Sequence, residues 1–250
     1  MQTVKIGDIF SLGDHLLACG DVNDKDLLKK LIGDSKINSV ITDIPYGVSY
    51  VESKSGFKQK LGCEKIIAND HIQTDKEYTD FNLKWLENIK PYLAKKNSVY
   101  IFNSDRMIFA LREAMVKAGY KFGQLLIWVK SHAVIGRLDY LPQHELIAYG
   151  WYGTHEFRRS KDKSVLFHPK PNKSKLHSTM KPIGLLRNLI LNSTKIGDTV
   201  FDGFGGSGSC TIACEHTKRR CLMCELDEGH CATIIARWEK LTGLEAKKIN

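Results

Sequence analysis

The sequence predicts an α/β domain with a largely parallel sheet that is covered by helices on both faces. Short β-branched runs alternate with stretches of helical periodicity, and strands separated by helices pair in parallel. The run SVYIF at 98–102 has the continuous apolar character of a strand buried on both faces. With 250 residues, of which 42% are hydrophobic, the chain is long enough for a sizeable core. We therefore expect a single domain over residues 1–250.

The first half of the chain predicts a hairpin, three helices and four strands. A hairpin turns at Gly13-Asp14, helix 26–33 ends at Gly33, and the β-branched run 37–42 forms a strand. The polar stretch 48–70 predicts a mobile loop. Further along we expect helix 75–94, interrupted near Pro91, strand 98–102, helix 105–118, and strands 122–129 and 144–149.

The second half resumes the alternation after a basic interruption. Residues 155–181 hold eight Lys and Arg against two acids, with two prolines, and predict no compact helix. After them we expect helix 183–192, strand 198–202, helix 208–216, strand 220–225 and helix 227–241.

Composition excludes several classes of protein. No apolar run reaches the length of about 18 residues that a membrane span needs, and the start MQTVKIGDIF lacks the layout of a secretory signal. We therefore expect a cytoplasmic protein without a membrane partner. The net charge of +9 is compatible with a polyanionic partner, although many basic proteins bind no nucleic acid.

Seven cysteines, an odd number, indicate reduced thiols rather than disulfides. The pair Cys221 and Cys224 resembles half of a zinc site, but no second pair follows at finger spacing. Residues three apart on a strand point to opposite faces. We therefore expect buried free thiols and no metal.

A glycine-rich turn at 198–208 (DTVFDGFGGSG) links a short apolar strand to a helix. Gly203, Gly205 and Gly208 fit the GxGxxG pattern, and Glu225 closes the next strand. Such a turn lets a cofactor approach the backbone while the late acid holds ribose hydroxyls. Without the lysine of a phosphate-binding loop, an ATPase is disfavoured, whereas a nicotinamide cofactor or a tight turn without ligand remains open. Asp202 would suit a cationic ligand.

The tetrapeptide Asp43-Ile44-Pro45-Tyr46 follows strand 37–42, at the edge where α/β sheets bind ligands. The Asp43 carboxylate and the Ile44 carbonyl can each accept a hydrogen bond from an exocyclic amino group. Pro45 stiffens the turn, and Tyr46 offers a face on which an extruded base can stack. A plain strand-to-loop turn is the alternative.

These motifs together resemble the amino-group DNA methyltransferases, which carry Asp-Pro-Pro-Tyr, Phe-x-Gly-x-Gly and His-Pro-Thr-Gln-Lys-Pro. This chain has DIPY at 43–46, HSTMKP at 177–182 and FGGSG at 204–208. The tetrapeptide precedes the cofactor loop, as in the circularly permuted order of the β class. The resemblance spans residues 8–240. It implies a Rossmann-like S-adenosylmethionine-dependent fold with a mostly parallel seven-stranded sheet.

The resemblance also implies the reaction, which is methyl transfer from S-adenosyl-L-methionine to a base amino group in double-stranded DNA, with base flipping. An Asp at the head of the tetrapeptide is typical of adenine-N6 enzymes, whereas cytosine-N4 enzymes usually carry Ser. A cytosine-N4 enzyme, a catalytically silent DNA-binding relative and an RNA substrate remain alternatives. A homodimer and a cognate restriction endonuclease are further partners that the family allows, in a prokaryotic or phage-infected cell.

Site residues follow from the same resemblance. The expected catalytic residues are Asp43, Ile44, Pro45 and Tyr46. The expected cofactor-binding residues are Asp21, His177, Lys181, Pro182, Asp202, Phe204, Gly205, Gly206, Ser207, Gly208 and Glu225. The sequence departs from the family at Ile44, where only the carbonyl is needed, and at Ser178 and Met180.

DNA contacts are expected from the loop 48–70 and from a short basic target-recognition insert at 150–176. Lysines and arginines in such segments bind phosphates. The alternative is a solvated surface loop for the basic segment and plain loop disorder for 48–70. The residues concerned are Lys54, Lys58, Lys60, Arg158, Arg159, Lys161, Lys163, Lys170, Lys173 and Lys175.

Overall fold

A computed structural model describes residues 3–47, 73–133, 139–159, 162–169 and 180–250. Its strands are β1 (Ile9–Leu12), β2 (His15–Cys19), β3 (Ile37–Asp43), β4 (Leu93–Asn103), β5 (Lys121–Val129), β6 (His144–Trp151), β7 (Val165–Phe167), β8 (Thr199–Asp202), β9 (Arg220–Glu225) and β10 (Lys247–Lys248). Its helices are α1 (Lys25–Ile32), α2 (Asp75–Ile89), α3 (Ile108–Lys117), α4 (Ile183–Ser193), α5 (Ser209–Thr217) and α6 (Glu228–Thr242).

The described strands form one sheet in the order β10-β1-β2-β9-β8-β3-β4-β6-β5-β7. The expected seven-stranded sheet is its centre, from β2 to β5, and the short strands β1, β10 and β7 extend it. Pairing is parallel from β2 through β9, β8 and β3 to β4, whereas β6 is antiparallel to both β4 and β5. Within the central seven, β6 alone is therefore reversed. The predicted mostly parallel α/β sheet is confirmed.

Helices cover both faces of this sheet. One apolar cluster contains buried side chains of α1, α2 and α3, and the other contains those of α4, α5 and α6. Strand β9 shows the alternation that separates them, because Cys221 belongs to the second cluster and Cys224 to the first. Local signals fix the helix ends. Asp24 caps the start of α1, and Gly33 ends it at φ 55°.

Three element boundaries differ from the prediction by three residues or more. Helix α2 ends at Ile89 rather than 94, because Pro91 lacks the amide proton that a continuing helix needs and lies in a 3₁₀ turn, 90–92. Strand β4 consequently begins at Leu93 instead of 98. Helix α3 begins at Ile108 after a turn rather than at 105. Strands β7 and β10 have only three and two residues and carry no recognisable periodicity in the sequence.

The sheet places several polar side chains at one edge. Parallel strands β2, β3, β8 and β9 all end there, and they end next to or at Asp21, Asp43, Asp202 and Glu225. Because β6 runs the other way, its first residues, His144-Glu145, lie at this same edge. Among the described residues, no helix is both long and apolar enough to cross a membrane.

Candidate active site

The tetrapeptide lies at the edge of the sheet where β3 ends, and contacts with the core hold it in place. The Ile44 side chain is 2% exposed and belongs to the apolar cluster of α1, α2 and α3. That burial explains why an apolar residue is accepted where the family usually has proline. The Tyr78 hydroxyl donates to the Pro45 carbonyl at 3.0 Å, and the Asn103 amide group donates to that hydroxyl at 2.8 Å. The turn is thus fixed from α2 and from the end of β4.

The Asp43 carboxylate is bonded at both oxygens. The Lys181 ammonium lies 2.5 Å from Oδ2, and the Tyr46 hydroxyl donates to Oδ1 at 3.0 Å. The Lys181 side chain is 6% exposed and the Asp43 side chain 27% exposed. A buried cation therefore holds a carboxylate that still reaches solvent, as a residue that accepts a substrate must.

Glu145 and Lys130 belong to the same cluster, although neither was among the predicted site residues. Glu145 Oε2 lies 3.2 Å from Lys181 Nζ and accepts from the Tyr46 hydroxyl at 3.0 Å. Glu145 Oε1 lies 2.8 Å from Lys130 Nζ. The pairing of β5 with β6 brings Lys130, just after β5, beside the start of β6. Antiparallel pairing of the predicted strands 122–129 and 144–149 places Lys130 beside Glu145, and such a pairing could have identified both residues from the sequence.

Burial and charge set the pKa values of the two carboxyls in opposite directions. Burial raises the pKa of Asp43 above its ordinary value, against the opposing pull of Lys181. Burial acts in the same sense on Glu145, but Lys181 and then Lys130 outweigh it and lower its pKa to about 2. Burial also raises the pKa of Tyr46, which keeps its hydroxyl protonated and able to donate. Of the two carboxyls, Asp43 is therefore the better proton acceptor.

The glycine-rich loop packs closely on the neighbouring strand and helix. A Cβ at Gly205 would lie 2.6 Å from Met223 Sδ. Gly208, which caps α5, has φ +74°, and a Cβ there would lie 2.9 Å from Ile234. The Phe204 ring packs edge-on against Trp85 at a centroid distance of 5.8 Å. Glycine is thus required at these positions by packing and backbone conformation.

The acids that flank this loop differ in their environments. Asp202 is 5% exposed, and its Oδ1 accepts from the Thr42 hydroxyl at 2.7 Å and the Phe204 amide at 3.1 Å. Burial raises the pKa of Asp202 to about 8. Glu225 closes the loop, because its carboxylate accepts from the Gly206 amide at 2.6 Å and the Asp227 amide at 2.8 Å.

The remaining expected cofactor residues that the structure describes lie around the same edge. Asp21 is exposed and its carboxylate accepts from the Asn23 amide at 2.8 Å, which stabilises the turn after β2. Ser207 is buried, and its carbonyl accepts from the Arg237 guanidinium. Pro182 precedes α4 and places Lys181 beside the tetrapeptide. His177 lies outside the described residues.

The cysteines are apolar core residues of the sheet and its helices. All six described cysteines are free and buried. Cys221 and Cys224 lie on opposite faces of the sheet, as predicted, so they do not form a metal-binding pair. The thiols of Cys210, Cys214 and Cys221 lie within 4.8 Å of one another between α5 and β9.

The expected DNA-contacting residues are only partly described. Arg159 and Lys163 are exposed, and the Arg158 guanidinium is exposed but pairs with Glu156 at 2.9 Å. Lys181, which the basic segment also includes, is buried in the acidic cluster. The others lie outside the described residues: Lys54, Lys58, Lys60, Lys161, Lys170, Lys173 and Lys175.

The central sheet has one reversed strand, a glycine-rich loop follows the parallel strand β8, and an acidic tetrapeptide follows its neighbour β3. This combination is that of the amino-group methyltransferases. The family model for N6 and N4 methyltransferases, described as DNA methylase, matches residues 37–236. The chain belongs to this family.

Individual relatives are more distant. The chain is 25% identical over 231 residues to the Type II methyltransferase M.HpaI of Haemophilus parainfluenzae, covering 82% of this chain and 68% of that protein. It is 26% identical to the Type II methyltransferase M2.DpnII of Streptococcus pneumoniae, covering 74% and 75%.

Solved structures share the fold. The M1.HpyAVI complex with S-adenosylmethionine superposes with a TM-score of 0.65 at 21% identity, covering 88% of this chain and 98% of that chain. The cytosine-N4-specific PvuII DNA methyltransferase superposes with a TM-score of 0.69 at 17% identity, covering 91% and 89%.

Proposed function

We propose that this protein methylates the N6 amino group of adenine at a short specific site in double-stranded DNA, using S-adenosyl-L-methionine. The observation that carries the proposal is the Asp43 carboxylate, held at the edge of the sheet by Lys181 and Tyr46. The family acts on DNA amino groups, and the acidic head of the tetrapeptide favours adenine over cytosine.

The residues present fit this cofactor. Asp202 is a buried carboxylate whose hydrogen-bond donors in the described part of the chain, Thr42 and the Phe204 amide, are uncharged. A carboxyl with a pKa raised to about 8 favours a cationic ligand group, which S-adenosylmethionine carries. When bound, the cofactor supplies a methyl group on a positively charged sulfur. The proposed binding residues are Asp21, Asp202, Phe204, Gly205, Gly206, Ser207, Gly208 and Glu225.

The reaction requires an acceptor for the amino group. The lone pair of an aromatic amine is delocalised into the ring, so hydrogen bonds that favour a pyramidal nitrogen make it a better nucleophile. Asp43 and the Ile44 carbonyl provide those acceptors in our proposal. The nitrogen lone pair forms the new bond to the methyl carbon, the carbon–sulfur electron pair stays on sulfur, and one amino proton leaves towards Asp43. Positioning and electrostatics supply most of the rate.

Tyr46 must rearrange for this acceptor to become available. In the free protein its hydroxyl lies on Asp43 Oδ1, which is the oxygen that Lys181 does not hold. A base that enters the site replaces this hydrogen bond, and the Tyr46 hydroxyl keeps its second acceptor, Glu145 Oε2. The aromatic ring then stacks on the extruded base. We assign Lys181 to this acidic cluster rather than to the cofactor-binding residues, among which the resemblance placed it.

DNA contacts are proposed for the basic segment that precedes α4. Arg159 and Lys163 are exposed there and are free to approach phosphates. The relatives are bacterial Type II methyltransferases, which supports a cytoplasmic enzyme of a restriction–modification system, with a cognate endonuclease and a homodimer as proposed partners.

The test is mass spectrometry of nucleosides from DNA that has been incubated with the protein and S-adenosylmethionine. N6-methyldeoxyadenosine is the expected product. N4-methyldeoxycytidine as the sole product would replace the adenine assignment by the cytosine one. No methylated nucleoside in DNA of random sequence would contradict the proposal.

A further inference from the structure

A buried ion pair lies directly behind the acidic tetrapeptide. Lys130 Nζ lies 2.8 Å from Glu145 Oε1, and the two side chains are 5% and 18% exposed. Charged pairs are seldom buried unless their geometry is good and their other polar atoms are satisfied. Glu145 meets that condition through its second oxygen, which contacts the two groups that hold Asp43.

Glu145 acts on Asp43 through shared neighbours. Its Oε2 lies 3.2 Å from Lys181 Nζ and 3.0 Å from the Tyr46 hydroxyl. The same ammonium and the same hydroxyl contact the two oxygens of Asp43. The Tyr46 hydroxyl proton and the Lys181 ammonium are therefore shared by two carboxylates. Any change at Glu145 alters the hydrogen bonding and the positive charge that stabilise the ionised form of Asp43.

The cluster as a whole is electrically balanced. Two carboxylates, Asp43 and Glu145, face two ammonium groups, Lys130 and Lys181. The Asp202 carboxyl, at the end of β8, adds a further acid near Asp43. With ordinary ionisation of the first four groups, their charges cancel, and removal of any one leaves an uncompensated charge in a poorly hydrated site.

We propose that Glu145, held by Lys130, is a positioning residue that divides the Lys181 charge and the Tyr46 hydroxyl between two carboxylates and thereby keeps Asp43 a strong proton acceptor. The inference rests on the proposed function, because it assigns a role within that reaction site. Glu145 does not touch the amino group itself. It affects the reaction through its contacts with Lys181 and Tyr46. Lys130 partly neutralises the charge of Glu145 and so weakens the attraction between Glu145 and Lys181.

The proposal predicts opposite effects for the two members of the pair. Glu145→Gln removes a negative charge and leaves Lys181 to Asp43 alone, so the pKa of Asp43 falls. Lys130→Met removes a positive charge and leaves Glu145 to compete for Lys181, so the pKa of Asp43 rises. Each shift should be about one unit. A purely structural role would give no such reversal of sign.

The experiment is an NMR titration of the free protein labelled with ¹³C at aspartate carboxyl groups. Asp43→Asn identifies the Asp43 signal. Matched controls are Glu113→Gln and Lys117→Met, which remove the members of an ion pair on α3 that is more than half exposed on both sides. Neither control should move the Asp43 titration. The titration needs no DNA and no cofactor, so it can be interpreted whether or not methylation is found.

Activity provides the second readout. At pH 7.5 the turnover of Glu145→Gln should fall about 10-fold or more while cofactor affinity, measured by calorimetry, is unchanged. The double variant Glu145→Gln/Lys130→Met restores balance, so its Asp43 pKa should lie between those of the single variants. If a single variant unfolds, the double variant must recover the fold and show an Asp43 pKa close to that of the wild-type protein.

Several results would overturn the inference. Shifts of the same sign in both single variants, an Asp43 titration that neither changes, or a double variant that matches one single variant would each do so. Failure of the wild-type protein to methylate DNA, with opposite shifts in the titration, would instead reject the proposed function and leave the charge coupling standing.

Discussion

Lys181 and Asp43 are 138 positions apart in the chain, yet the Lys181 ammonium lies 2.5 Å from Asp43 Oδ2. The lysine comes from the segment just before α4, and the aspartate from the end of β3. Their contact joins the basic segment of the sequence to the tetrapeptide. One lysine of that segment thus serves the proposed reaction site and is not available to DNA.

Lys181→Met tests this contact. The change removes the cation that the Asp43 and Glu145 carboxylates share, so the pKa of both should rise and one should be protonated near neutral pH. The acidic limb of the pH–activity profile should move to higher pH, and the free energy of unfolding, measured in urea, should fall by about 3–5 kcal/mol. Lys76→Met, which breaks the exposed pair with Asp80, is the control and should change neither quantity. An unchanged profile in Lys181→Met would refute the assignment.

Asp43→Ala tests the acceptor itself. Removal of one positioned acceptor should lower turnover by about 10³-fold, whereas cofactor affinity should persist because the glycine-rich loop is untouched. Transfer of a radiolabelled methyl group and calorimetric titration with S-adenosylmethionine measure the two effects. Asp105→Ala, at an exposed position before α3, should behave like wild type. Near-normal turnover in Asp43→Ala would show that another group accepts the amino hydrogen bond.

The pKa of Asp202 predicts a pH dependence of stability. Burial raises that pKa to about 8 in the folded chain, whereas an aspartate in the unfolded chain has a pKa of about 3.9. Between these values the folded chain binds a proton that the unfolded chain releases, so this carboxyl makes the free protein less stable as pH rises from about 4 to about 8. Asp202→Asn should remove that contribution in urea titrations at several pH values. An identical pH dependence in the variant would contradict it.

The same carboxyl predicts proton release on cofactor binding. A cationic group beside Asp202 favours its ionised form, so cofactor affinity should increase from pH 6 to pH 8. Calorimetry in buffers of different ionisation enthalpy should detect the released proton, and Asp202→Asn should abolish the dependence. Binding without proton release would place the cofactor away from Asp202.

DNA binding should weaken steeply with salt. Each phosphate contact contributes about one unit to the slope of log affinity against log salt. Arg159→Ala and Lys163→Ala should each lower that slope by about one, and Lys29→Ala, at an exposed position of α1, should not. Fluorescence anisotropy with a labelled duplex between 50 and 200 mM salt measures this. Unchanged slopes in both variants would remove these residues from the interface.

Local sequence signals predicted most of the fold because they act over few residues. Periodicity located every helix in the described part of the chain and six of the seven central strands, and the hairpin at Gly13-Asp14 located β2. Gly33 located the end of α1, and the alternation along β9 separated Cys221 from Cys224. The end of α2 was missed by five residues, since an interruption near Pro91 does not say on which side the helix stops. Strands of two or three residues depend on their partners and leave no periodicity.

The site was predictable to the extent that it follows strand ends. Asp43, Asp202 and Glu225 each end a parallel strand, so the topology alone brings them to one edge. Glu145 begins a strand, and it joins them only because β6 is reversed. The contacts of Lys181 with Asp43 and Glu145 join residues that are far apart in the sequence, and no local pattern encodes them.

Methylation of adenine through Asp43 can be tested most directly by single-molecule sequencing of DNA from a methylase-deficient bacterial host that expresses the protein. We expect N6-methyladenine at one short recognition sequence, and its loss when the host expresses Asp43→Ala instead. The result gives the modified base and the site together. Modification of cytosine alone, or adenine methylation that persists in the Asp43→Ala host, would contradict the account.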